Sequence, residues 1–196
     1  MPFDLNTLLA IIAIVIMLCT AFYFLRGSSG VDYSVNGRSK SPRGGKIRGA
    51  DFNGGGASGR WQSGARDFLE KFDGDAVIAA IRAAAETTTG EIRVTITKKN
   101  LAKDAINTEA LRHFHALGMH KAQQRNGVLI FIAPNTQEFA ITADEGIQSK
   151  SGAAPWRRAT TQMREAFAKG EYTEGVTAAL TTIATALASE FPQSGG

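Results

Sequence analysis

Residues 127–143 read Gly127-Val-Leu-Ile-Phe-Ile-Ala-Pro-Asn-Thr-Gln-Glu-Phe-Ala-Ile-Thr-Ala143. The first run, Gly127 to Ala133, is apolar without alternation, the pattern of a central strand buried on both faces. Pro134-Asn135-Thr136-Gln137 is a turn, and Glu138 to Ala143 is the returning strand. A four-residue turn makes the pair antiparallel, so Ala133 faces Glu138 and Gly127 faces Asp144. Upstream, Glu91 to Thr97 alternates and is rich in β-branched residues, which predicts a strand with Ile92, Val94 and Ile96 on one face. A helix over Asp104 to His115, with Leu111, Phe114 and Leu117 on its inner side, separates these strands and implies a right-handed parallel crossover. An earlier helix opens at Asp73-Gly-Asp75, buries Val77, Ile78, Ile81 and Ala85, and ends at Thr89-Gly90. Two more follow the hairpin, Trp156 to Ala168 and Glu174 to Ser189, with Trp156 read as a core anchor. The expected architecture is an α/β sheet flanked by helices.

This order collects distant residues on one rim of the sheet. Asp144-Glu145-Gly146 lies beside Arg125-Asn126-Gly127, and Thr89-Gly90-Glu91 and Leu117-Gly-Met-His-Lys121 fall at the same edge. Glu91, Asp144 and Glu145 form a carboxylate set that suits a hard cation such as calcium or magnesium. Arg125 and Lys121 suit a phosphate equally well, or neutralise the acids as an ion-paired rim. Among the histidines, helical spacing puts His113 and His120 on a shared face and points His115 away. With no cysteine nearby and no Glu-x-x-His pattern, zinc is disfavoured. No Walker loop, dinucleotide fingerprint or Gly-x-Ser-x-Gly elbow is present.

The N-terminal third has a different character. Leu8 to Leu25 are eighteen residues without a charge, enough to span the bilayer hydrocarbon. The acidic start and the bulky exit Phe22-Tyr-Phe-Leu25 favour a retained anchor over a cleaved signal peptide. The one cysteine, Cys19, lies inside this run, so no disulfide can form within a single chain. Residues 26–66 hold 11 of the 21 glycines, and eight Lys/Arg against Asp32 and Asp51. They read as a basic Gly-rich linker or arm, with Arg38, Lys40, Arg43, Lys46 and Arg48 as partner or head-group contacts and Trp61 as an anchor. Residues 67–196 carry a net charge near neutral, so the pI of 9.4 belongs to the arm. Specific nucleic-acid binding by the domain is disfavoured, because its basic residues are not concentrated there. The expected organisation is an anchor at 1–25, an arm at 26–66, an α/β domain at 67–192 and a tail at 193–196. No Lys or Arg precedes the span and several follow it, which predicts an N-terminus outside and a cytoplasmic domain.

Thr89-Gly90-Glu91-Ile92-Arg93-Val94, Leu117-Gly118-Met119-His120-Lys121, Arg125-Asn126-Gly127-Val128-Leu129-Ile130 and Phe139-Ala140-Ile141-Thr142-Ala143-Asp144-Glu145-Gly146-Ile147 resemble the motifs of the TPM domain family. The likeness runs over roughly residues 73–192, with Gly170 and Phe191-Pro192 included. The resemblance implies an α/β/α sandwich working at membranes, often on the extracytoplasmic side, as a maintenance factor for integral-membrane complexes. Some such proteins are acid phosphatases, and some bind calcium near the acidic loop. Carried onto this chain, the implied site is Asp144, Glu145 and Glu91, with Arg125 and Asn126 beside them. Many family sequences have Gly-Asp-Glu-Gly at the loop, whereas Ala143 stands first here. The charge bias and the family's usual placement disagree, so a periplasmic or lumenal domain is the alternative location.

Two functions emerge. One is a single-span accessory, assembly or maintenance subunit of an integral-membrane complex, a photosynthetic one if the family's founders are followed. It would contact lipid through residues 8–25 and the arm. The other is a membrane-tethered acid phosphatase using Asp144, Glu145 and Glu91 as metal or acid–base groups, with Arg125 orienting phosphate. Against the enzyme, the chain has no Cys-x5-Arg, Asp-x-Asp or Arg-His-Gly signature.

Overall fold

The computed structural model describes residues 55–193. The expected membrane span and the basic residues Arg38, Lys40, Arg43, Lys46 and Arg48 lie outside the described residues, as does the orientation drawn from them. Among the described residues, no helix is long and apolar enough to cross a membrane.

The hairpin forms as its sequence predicts. Strands β3 (Val128–Ala133) and β4 (Glu138–Ala143) pair antiparallel with Ala133 opposite Glu138, and every residue in both is buried. The Asp144 N–H extends the ladder to the Gly127 carbonyl at 2.9 Å. Strand β2 (Ile92–Ile96) runs parallel to β3 and reaches it through the crossover helix, α3 (Ile106–Ala116). Because side chains alternate across a strand, Leu129, Phe131 and Ala133 meet Ile106, Ala110 and Phe114 of α3 on one face. Val128, Ile130 and Ile132 face the other way, into the larger core. That core is built with α2 (Gly74–Ala85), α5 (Ala154–Ala168) and α6 (Tyr172–Glu190). Helix α2 starts where expected, with the Asp73 carboxylate accepting from the Asp75 and Ala76 N–H groups at 2.9 and 3.2 Å.

Helix α2 stops at Ala85, short of the expected Thr89-Gly90, and three larger features also depart from the expectation. The last part of the Gly-rich arm is a strand, β1 (Gly55–Arg60), which adds to β4 and completes the sheet order β1-β4-β3-β2. The folded unit therefore begins before residue 67, and helix α1 (Ala65–Lys71) also straddles that boundary. The glycines disguised the strand, yet one is there for contact: a Cβ on Gly59 would sit 2.5 Å from the Phe139 ring. Second, Trp61 is no surface anchor. Its side chain is 5% exposed and packs edge-on to Phe167 at 5.0 Å, with Phe68, Phe139 and Tyr172 around it. Third, a short helix, α4 (Glu145–Ser151), follows β4 directly where the sequence showed no helical period. Seven residues are too few to display one.

Candidate functional site

The rim is held together by Asp144. Its side chain is fully buried, placed there by the end of β4, and its Oδ1 accepts the Glu145 N–H at 2.8 Å to cap α4. Arg125 arrives from the turn before β3 with φ +50°, a conformation uncommon outside glycine. It donates Nε to both carboxylate oxygens at 3.0 Å and brings Nη2 to 2.8 Å from Oδ1. Asp144 in turn raises the already high pKa of Arg125, chiefly through that hydrogen bond. Glu145 is half exposed, and its carboxylate stands 3.9 Å from the same guanidinium. The Arg125 carbonyl accepts the Ile147 N–H at 3.2 Å. Gly146 permits this approach: a Cβ there would lie 2.3 Å from the Gln124 carbonyl oxygen. Arg-Asn-Gly and Asp-Glu-Gly are thus two halves of one clasp.

The other expected members are not gathered with them. The Glu91 carboxylate accepts from Arg93 Nε at 2.6 Å, while its carbonyl continues the ladder to Val128. Thr89 joins the rim through Gln124, whose Oε1 accepts from the Thr89 hydroxyl at 3.2 Å and the Asn126 amide at 3.0 Å. Lys121 is exposed on a 3-10 turn, Met119–Lys121. Among the described residues, no three His, Cys, Asp or Glu side chains are grouped to hold a metal ion. A calcium ion would have to displace the guanidinium from Asp144, so the residues as arranged do not fit one.

The histidine geometry is also corrected. Helix α3 stops at Ala116, Gly118 turns left-handed at φ +74°, and the chain folds back. His120 consequently stacks on His115, ring centroids 4.4 Å apart, whereas His113 lies against Phe131 at 4.7 Å. Burial pushes the pKa of His113 and of His115 below the ordinary 6.5. The unfolded chain then binds more protons than the native one between 6.5 and the lowered values, so stability falls as pH drops through that window. A His113→Gln variant is expected to flatten part of this loss, measured as urea midpoints between pH 7 and pH 5.

A second polar cluster lies at the opposite end of β4 and was not anticipated. Glu138, 3% exposed, pairs with Arg60 of β1, and Arg60 also reaches Asp104 at 3.1 Å. Beside them is an open cleft of about 320 Å³ lined by Arg60, Trp61, Leu101, Lys103, Gln137 and Glu138. A polar residue opening an apolar strand was the only available signal, and it needed β1 in place to be read.

The TPM domain model matches residues 64–186. The NMR structure of BA42 protein from the psychrophilic bacterium Bizionia argentinensis is similar at 31% identity and a TM-score of 0.56, over 61% of this chain and 81% of that one. A search of curated proteins finds no match. With more than half its length under the family model and the motif-bearing strands in the expected register, the chain belongs to the TPM domain family.

Proposed function

We propose that this protein is a single-span, membrane-anchored accessory or maintenance subunit of a larger integral-membrane complex. The observation that carries the reading is the state of the rim. Both Asp144 oxygens are engaged by Arg125, one also caps α4, and Glu91 is engaged by Arg93. Asp144, committed to holding two loops together, is a poor candidate for nucleophile, general base or metal ligand, and Glu91 is drawn to Arg93 instead of toward Asp144. Support for the membrane comes from the uncharged run Leu8–Leu25 and the basic arm that follows it. The Lys/Arg bias supports a cytoplasmic domain.

Gentle detergent extraction, native separation and mass spectrometry test the proposal. Stoichiometric co-migration of the full chain with an integral-membrane complex is the expected result. Migration alone, together with phosphomonoester hydrolysis abolished by Asp144→Ala/Glu145→Ala, would replace it with a tethered acid phosphatase.

A further inference from the structure

Charge is unevenly divided among the helices. Within α1 to α4 the acidic and basic residues balance, their caps add only the acidic Asp73, Glu86 and Asp144, and α6 carries only Glu174 and Glu190. Helix α5 alone is strongly basic: Arg157, Arg158, Arg164 and the C-capping Lys169 stand against Glu165. All five are exposed, while Trp156, Ala159, Thr160, Met163 and Phe167 turn inward. At 100° per residue the four cations therefore share the outward half of the helix. Lys71, Arg112 and Arg125 are held by Asp67, Glu109 and Asp144, but none of these four is in an ion pair among the described residues.

The position of α5 gives that face a direction. Phe167, near its C-terminal end, packs on Trp61 just after β1. At the other end of β1, Gly55 abuts Gln148 of α4, the helix immediately before α5. The helix thus runs along the strand at which residues 1–54 enter the domain, with Arg157 and Arg158 toward the entry point.

We propose that the outer face of α5 is a docking surface for anionic lipid head groups, laying the domain on the bilayer to which residues 8–25 tether it. This rests on the membrane-anchored reading above. A row of unpaired arginines on an otherwise near-neutral domain matches a sheet of negative charge, and each Lys or Arg near such a surface contributes roughly fivefold in affinity.

The experiment uses the full chain in nanodiscs of phosphatidylcholine, with and without phosphatidylglycerol, each carrying dansyl-phosphatidylethanolamine. The chain's two tryptophans, Trp61 and Trp156, are both buried in the domain and serve as energy-transfer donors. Transfer is expected to be higher on anionic discs and to fall as salt is raised. Arg157→Gln/Arg158→Gln/Arg164→Gln/Lys169→Gln should lower the docked-to-undocked ratio by roughly several hundredfold, down to the neutral-disc level. The same change at Arg38, Lys40, Arg43, Lys46 and Arg48 measures the arm's share and should leave the dependence on the α5 residues in place. Transfer that ignores lipid charge, or a quadruple variant that transfers like the unmodified chain, would overturn the α5 surface while leaving the anchor standing. A chain that fails to stay in discs of either composition would overturn the anchor and the docking surface together.

Discussion

Trp61→Ala is expected to destabilise the domain by about 3–5 kcal/mol, the loss typical of deleting a large aromatic side chain from a packed core. Trp61 is the first large side chain after β1 and sits among Phe68, Phe139, Phe167 and Tyr172. The strand itself contributes little apolar surface, since Gly55–Arg60 offers only Ala57 to the core. The indole therefore secures β1 to the sheet. Urea unfolding followed by far-UV circular dichroism measures the effect. Trp61→Phe should retain most of the stability, because the ring contacts persist and the lost N–H has no hydrogen-bond partner among the described residues. An unchanged urea midpoint in Trp61→Ala would return the residue to the surface-anchor role its glycine-rich surroundings suggest.

The clasp should respond asymmetrically to removal of its two partners. Arg125→Ala strands a fully buried carboxylate and is expected to cost about 3–5 kcal/mol. Asp144→Ala leaves a guanidinium that is already 39% exposed and can turn to water, so the expected loss is smaller, about 2–3 kcal/mol, part of it the α4 cap. Asp144→Asn, which keeps an oxygen for the Glu145 N–H but not the charge, should cost least. Urea unfolding of the three variants tests the order. A rim used mainly for catalysis or cation binding would show the opposite trend, with Asp144→Ala neutral or stabilising through relief of a buried charge.

The corrections follow from which physical signals a linear sequence carries. Ile92, Val94 and Ile96 alternate and residues 127–133 do not, and those two patterns suffice to distinguish a strand with one apolar face from a central one. With a four-residue turn and a helical crossover they also placed Arg125 beside Asp144, because register is arithmetic once a hairpin is recognised. The site was legible to that extent. Glu91 shares the edge, but a shared edge does not say which partner a side chain chooses, and the nearer Arg93 holds it.

Periodicity, turn chemistry and charge by themselves determined the α/β class, the crossover, the antiparallel pair and the meeting of the two rim motifs. Tertiary structure alone decided that Gly55–Arg60 is a strand, that Trp61 is core, that His120 lies on His115 and that the basic residues of α5 share one open face. The physical reasons differ from one to the next. Glycine in a strand carries no propensity of its own and is chosen by what packs against it, here the ring of Phe139 across the ladder. A left-handed turn at Gly118 redirects every residue after it, and a helix acquires an inside and an outside only when another element covers one of its faces.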